Sequence, residues 1–136
     1  MNAIEIRGVS KSFGGHQAVA DLSLDVPDGS IYGFIGPNGS GKTTTIRMIM
    51  NIILPDQGDI QVLGQRSTSA VRDDVGYLPE ERGLYKKMPV RRLLRYYGRL
   101  KGRALASLDP VITDWLRRLQ LSDWADKRID QLSKGM

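Results

Sequence analysis

A glycine-rich turn that ends in lysine and threonine places the strongest constraint on the fold of this 136-residue chain. Residues 36–43 read Gly-Pro-Asn-Gly-Ser-Gly-Lys-Thr and match the pattern G-x-x-x-x-G-K-[ST] in full. A continuous apolar run, residues 31–35, precedes the turn, and residues 42–54 carry apolar side chains at helical spacing. The order strand, glycine-rich loop, helix favours a phosphate-binding loop over an incidental turn.

The residue types of this loop suit the binding of a nucleoside triphosphate. Glycines let backbone N–H groups approach phosphate oxygens, and the helix N-terminus adds partial positive charge. We expect Lys42 to reach the β- and γ-phosphates, Thr43 to offer its hydroxyl to Mg²⁺, and Thr44 to donate to the α- or β-phosphate. The predicted nucleotide-binding set in this loop is Gly36, Pro37, Asn38, Gly39, Ser40, Gly41, Lys42, Thr43 and Thr44.

The N-terminal part is predicted to form a mixed sheet around this loop. Residues 4–7 and 20–26 alternate apolar and polar side chains, which is typical of half-buried strands. The run 31–35 is apolar on both faces and predicts a covered strand of a parallel sheet. The other predicted elements are strands at 59–63 and 75–78 and a helix at 42–54 whose inner face carries Ile46, Ile49, Met50 and Ile53.

The C-terminal part is predicted to be helical. A first helix has four apolar residues on one face: Val90, Leu93, Leu94 and Tyr97. Asp109 and Pro110 form a typical cap and first-turn pair and predict the start of a second helix, and Ser122 is predicted to cap a third. We therefore assign residues 1–87 to antiparallel strands and an incomplete nucleotide-binding core, and residues 88–136 to a helical subdomain.

Composition and charge exclude some classes of protein and leave others open. The chain has no cysteine, which excludes a disulfide scaffold, and no apolar run of about 18 residues that would span a bilayer as a helix. Nine basic residues and no acidic one lie between positions 82 and 103, within a net charge of +5. This basic block suits a solvated helix face or a partner surface near a membrane. Nucleic acid is the least favoured partner.

Four motifs in order resemble those of ABC-type ATPases. Residues 9–14 read VSKSFG, the phosphate loop follows, residues 76–80 read GYLPE, and residues 132–135 read LSKG. The resemblance implies a P-loop NTPase of α/β class, with N-terminal antiparallel strands, a parallel-sheet core and a helical subdomain. It implies that Phe13 stacks on adenine, although a core aromatic at a strand end is the alternative, and that Ala18 lies under the base.

Two positions depart from the usual family pattern. Glu80 stands where the Q-loop usually has glutamine, and it is a candidate Mg²⁺ ligand together with Thr43. Lys134 stands where the signature motif usually has glycine. Both departures resemble exporter ATPases of the sodium and drug efflux type. In a pair of subunits, the resemblance implies that Ser133 and Gly135 meet the nucleotide of the partner in trans.

The resemblance covers only the N-terminal part of such an ATPase. No run of four apolar residues followed by Asp-Glu occurs, so the Walker B aspartate and the catalytic glutamate are expected to lie outside this sequence. We expect the chain alone to be an unstable monomer that binds ATP weakly and hydrolyses it negligibly.

The resemblance also implies a function for the complete protein. Hydrolysis of ATP with Mg²⁺ would drive export through a separate membrane permease, with the ATPase subunits at the cytoplasmic, inner face of the cell membrane. Two alternatives stay open. One is a truncated, non-catalytic nucleotide-binding module, and the less favoured one is a soluble ABC-type protein that acts on the ribosome or DNA.

Overall fold

The computed structural model describes residues 1–66, 74–79, 83–133 and 135–136. The chain separates into two compact units, Met1–Leu78 and Pro79–Met136. Our assignment of a nucleotide-binding core to residues 1–87 and of a helical subdomain to residues 88–136 stays a prediction.

The first unit is built on an antiparallel sheet with the strand order β2-β1-β3-β4. The strands are β1 (Asn2–Phe13), β2 (His16–Pro27), β3 (Gln57–Val62) and β4 (Gln65–Arg66). β1 and β2 are each twelve residues long, longer than the predicted segments 4–7 and 20–26. The register between them shifts around Gly8, and Gly8 and Asp21 have positive φ angles. Such bulges break the alternation on which the prediction depended.

The helix after the glycine-rich loop, α1, covers Lys42–Ile49 and is shorter than predicted. Asn51 adopts a left-handed conformation, and the N–H groups of Asn51 and Ile52 donate to the carbonyls of Met48 and Arg47. This pair of hydrogen bonds is a Schellman motif, which ends the helix before Pro55 can do so.

The predicted inner face of α1 is partly wrong. Thr45 and Met48 are buried, whereas Ile46 is exposed; Ile49 and Ile53 are half-buried against the core. The core cluster consists of Ile6, Val9, Val19, Met48, Ile60 and Val62. The helix therefore covers one face of the antiparallel sheet.

Two predicted strands of the first unit, 31–35 and 75–78, are absent from the sheet that the structure describes. The exposed fractions of Ile31 and Ile35 are 104% and 93%. A strand forms only where a neighbouring backbone takes up its N–H and C=O groups, and no described residues lie beside these segments as a parallel partner. An apolar pattern in the sequence does not show whether a segment has a neighbouring strand to pair with.

The described residues of the second unit form two α-helices, α2 (Val90–Leu100) and α3 (Leu105–Arg118). Two short 3₁₀ turns follow at Ser122–Trp124 and Ile129–Gln131. The core cluster is formed by Val90, Ile112, Leu116 and Ala125. No helix among the described residues is long and apolar enough to cross a membrane.

The predicted helix starts in this unit are wrong. α3 begins after Ala104, so Pro110 lies inside the helix and Asp109 is not its cap. Both carboxylate oxygens of Asp109 accept hydrogen bonds from Arg95, at 2.6 and 2.8 Å, and this contact lowers the pKa of Asp109. Ser122 makes no capping hydrogen bond either, because the 3₁₀ turn begins after Leu121. A tertiary ion pair has thus replaced a local cap at Asp109.

Candidate functional site

The glycine-rich loop joins the end of the exposed apolar segment to the N-terminus of α1. Its backbone closes through hydrogen bonds from the Ser40 N–H to the Pro37 carbonyl, at 3.2 Å, and from the Thr45 N–H to the Gly41 carbonyl, at 2.8 Å. Gly41 is the residue before the helix and has a φ angle of 86°. A Cβ at this position would collide with the carbonyl oxygen of Ala18. Glycine is therefore required where β2 and the loop meet.

Lys42 is folded back over the loop that precedes it. Its Nζ donates to the carbonyl oxygens of Gly36 and Pro37, at 2.6 and 2.7 Å. The ion pairs among the described residues include none with Lys42. The ammonium group thus lies within the loop, beside the partial positive charge of the helix N-terminus, and no carboxylate of the described residues pairs with it. Such a site favours an anion.

The first turn of α1 supplies three threonines with different surroundings. Thr45 is buried, and its hydroxyl donates to the Gly41 carbonyl at 3.0 Å, which anchors the loop to the helix. Thr43 is exposed and Thr44 is half-buried, and the first turn contains no acidic residue. An exposed hydroxyl at Thr43 suits a metal ion that accompanies phosphate. The anchoring role of Thr45 was missed because a threonine inside a helix gives no separate sequence signal.

A cavity of about 350 Å³ lies between β2 and the loop. Its lining includes Ala18, Phe34, Gly36, Lys42 and Thr45. Ala18 therefore lies close to the phosphate loop, as the prediction that it lies under the base requires. Its contact with a base itself stays a prediction.

Phe13 ends β1 at the tip of the hairpin, opposite His16. Its ring is 48% exposed, so it is not a member of the core cluster, and the Lys11 Nζ lies 5.4 Å from the ring centroid. Asp56 holds this tip: it pairs with the Lys11 ammonium at 2.6 Å and accepts the Ser12 N–H at 2.8 Å. An exposed aromatic ring on a braced strand end suits stacking with a base, and that role stays a prediction.

The same hydrogen bonds lower the pKa of Asp56, with the bond from Lys11 as the largest cause. The sequence carries no local signal for this pair, because Lys11 and Asp56 are 45 positions apart and the pairing of β1 with β3 brings them together.

The remaining predicted site residues belong to the second unit or lie outside the described residues. Glu80 and Lys134 lie outside the described residues. Ser133 and Gly135 are exposed in the second unit, where the Ser133 hydroxyl accepts a hydrogen bond from the Met136 N–H at 3.3 Å. Their predicted contact with nucleotide in trans, and the metal role of Glu80, stay predictions.

Comparison with known proteins decides the family. The family model described as ABC transporter matches residues 19–136. The chain belongs to the ABC transporter ATP-binding family. The family resemblance predicted from the four motifs is confirmed.

The chain matches only part of each of its curated relatives. It is 42% identical over 132 residues to YhaQ, an uncharacterized ABC transporter ATP-binding protein of Bacillus subtilis. The matched region covers 97% of the chain and 44% of the relative. It is 39% identical over 138 residues to Nod factor export ATP-binding protein I of Rhizobium sp. (strain N33). This match covers 98% of the chain and 45% of that relative. The chain thus spans less than half the length of these relatives.

Solved structures confirm the predicted P-loop NTPase fold of the ABC chain. An ATP-binding subunit of an ABC transporter matches with a TM-score of 0.81 at 27% identity, over 98% of this chain and 57% of that one. An ABC transporter ATP-binding protein from Pyrococcus furiosus matches with a TM-score of 0.78 at 28% identity, over 97% and 64%. The α/β class and the antiparallel N-terminal strands therefore agree with the prediction.

Proposed function

We propose that the loop of residues 36–44 binds ATP together with Mg²⁺. The observation that carries this proposal is the position of the Lys42 ammonium group, within the loop at the N-terminus of α1 and without an acidic partner among the described residues. Lys42 would neutralise the terminal phosphates, and the Thr43 hydroxyl would face the cation. Phe13 and Ala18 would receive the base.

We further propose that a complete protein containing this sequence hydrolyses ATP to drive export. Support comes from the family and from the chain's similarity to a relative named Nod factor export ATP-binding protein I. A membrane permease and a second ATPase subunit would be its partners, with Ser133 and Gly135 acting on the other subunit's nucleotide and Glu80 near the cation. The protein would then lie at the inner face of the cell membrane.

The binding proposal is tested with Lys42→Ala, by titrating ATP with Mg²⁺ into the chain in a calorimeter. Loss of the ammonium group is expected to weaken binding by at least about tenfold, because charge-assisted contacts to phosphate are stronger than neutral ones. Arg47→Ala is the matched control: it removes one positive charge from the last turn of the same helix. Equal affinity in wild type and Lys42→Ala would overturn the proposal.

We also propose that this chain alone turns over ATP negligibly. Its sequence contains no apolar run followed by Asp-Glu, so it offers no acidic pair of the kind that holds the attacking water in the family. A steady-state phosphate-release assay is expected to show no turnover above that of Lys42→Ala. Turnover that depends on Lys42 would contradict this.

A further inference from the structure

One aspartate of the first unit holds three consecutive residues at the end of β1. The Asp56 N–H donates to the carbonyl of Ser10 at 2.9 Å. The two carboxylate oxygens of Asp56 accept hydrogen bonds from the Lys11 ammonium, at 2.6 Å, and from the Ser12 N–H, at 2.8 Å. Phe13 is the next residue along the chain, so the backbone that carries its ring is fixed by a residue 43 positions away.

Asp56 reaches the end of β1 because β3 begins very close to that strand. Gly58 has a φ angle of 82°, and a Cβ there would lie 2.5 Å from the carbonyl oxygens of Arg7 and Gly8. The register between β1 and β3 also shifts in this region. Since a glycine permits this approach, the backbone itself brings the short side chain of Asp56 to Lys11. A short side chain on a fixed backbone has few conformations to lose when it forms an ion pair.

The Lys11 ammonium group covers one face of the Phe13 ring. Its Nζ lies over the ring, 5.4 Å from the centroid, which is within the distance of a cation–π contact. Only 17% of the Lys11 side chain is exposed, whereas Phe13 is 48% exposed. The cation is therefore held in place, while the ring keeps open surface for a flat ligand.

We propose that Lys11 and Asp56 are positioning residues for the base of the nucleotide, which stacks on the face of Phe13 that Lys11 leaves open. The inference rests on the proposed binding of ATP at residues 36–44. Asp56 fixes the strand end and the ammonium group, and the ammonium group restricts the ring. A ring restricted in this way loses less conformational freedom when a base binds. A brace that only stabilised the hairpin would have no effect that depends on the base.

The test separates the base from the phosphates by titrating two ligands in a calorimeter, ATP and tripolyphosphate, each with Mg²⁺. Phe13→Ala sets the scale: it is expected to weaken ATP binding by at least about fivefold and to leave tripolyphosphate binding within about twofold of the wild type. Asp56→Ala is expected to weaken ATP binding by at least about threefold, again with tripolyphosphate within about twofold. Loss of a carboxylate favours anions in general, so a loss for ATP alone has the opposite sign to the effect of net charge.

Two further substitutions serve as controls. Asp59→Ala removes a carboxylate and its ion pair with Arg66, at 2.7 Å, from the same sheet, and it is expected to change the affinities for the two ligands equally. Lys11→Arg keeps a cation that can pair with Asp56 and cover the ring, so its ATP affinity is expected to stay within about twofold of the wild type. Lys11→Met is expected to lose as much ATP affinity as Asp56→Ala, and a loss in Lys11→Arg equal to that in Lys11→Met would contradict the role of the cation.

A double variant shows whether Asp56 acts through the ring. Phe13→Ala/Asp56→Ala is expected to bind ATP as weakly as Phe13→Ala alone. Additive losses, or equal losses for ATP and tripolyphosphate in Asp56→Ala, would overturn the inference. The phosphate loop is tested separately by Lys42→Ala, which is expected to weaken the binding of both ligands. If Lys42→Ala weakens ATP binding but Phe13→Ala does not, the loop proposal stands and this inference is overturned.

Discussion

At the scale of residues, two glycines of the phosphate loop differ in the space around them. Gly41 and Gly39 both have positive φ angles, of 86° and 83°, but their surroundings differ. A Cβ at Gly41 would meet the Ala18 carbonyl and, at 3.0 Å, the Val19 side chain, whereas a Cβ at Gly39 would have no heavy atom within 4 Å. At position 41, both the positive φ angle and the lack of space disfavour any residue with a Cβ. At position 39, only the positive φ angle does so.

This contrast gives a prediction for Gly41→Ala. The substitution adds both left-handed strain and a collision with β2, so we expect a loss of at least about 2 kcal/mol in the free energy of unfolding and a loss of ATP binding. Gly39→Ala adds the strain only and is expected to cost about 1 kcal/mol. Urea unfolding followed by circular dichroism measures both. Equal losses in the two variants would show that the contact with Ala18 has no role.

At the scale of elements, the three α-helices among the described residues end in the same way. The residue after each C-cap is left-handed, and the following N–H groups bond back to carbonyls of the last turn: Asn51 after α1, Gly102 after α2 and Gln120 after α3. At α3, the N–H groups of Gln120 and Leu121 donate to Arg117 and Leu116, at 3.0 and 2.7 Å. Only at α2 is the left-handed residue a glycine, the type that this position favours.

Gln120→Gly is therefore expected to stabilise the chain. Glycine adopts a φ angle of 57° without the Cβ strain that glutamine carries there, and the gain is expected to be about 0.5–1 kcal/mol. The opposite change at the equivalent position of α2, Gly102→Gln, is the control and is expected to lower stability by a similar amount. Thermal unfolding measures both changes. A loss of stability in Gln120→Gly would contradict the argument from backbone strain.

These helix ends also show how far sequence could predict the fold. The presence of a glycine-rich loop before a helix and the existence of α2 followed from local pattern and chemistry, whereas the strand predicted at 31–35 is absent from the described sheet. The early end of α1 did not, because Asn51 is a weak signal beside Pro55. The true start of α3 did not either, since Asp109 is engaged by Arg95 from another helix. Local sequence patterns carry no information about contacts between elements, and such contacts decide where α3 begins.

At the scale of the molecule, two separate apolar clusters stabilise the two units, and a large apolar segment is left uncovered. Ile31 and Ile35 of that segment are almost wholly exposed, although the segment leads directly into the phosphate loop. Exposed apolar segments with high strand propensity favour association between chains. The expected instability of the isolated chain has a physical basis here.

Ile31→Ser/Ile35→Ser is expected to reduce this association. The two side chains have almost no packing to lose, so the melting temperature is expected to stay the same while concentration-dependent light scattering decreases. Ile6→Ser is a control in the buried core and is expected to lower the melting temperature. A lower melting temperature in the double variant would show that these residues are covered in solution.

The backbone just before α2 is tied to the second 3₁₀ turn, Ile129–Gln131, and this has a mechanical consequence. Lys86 and Met88 are tied by their carbonyls to Asp130 and Ile129, and Ser133 follows Asp130 by only three residues. A force on the segment before α2 must therefore either break these hydrogen bonds or also displace the residues that lead to Ser133. Residues 86–88 and the segment that leads to Ser133 are thus coupled through the backbone hydrogen bonds that join them.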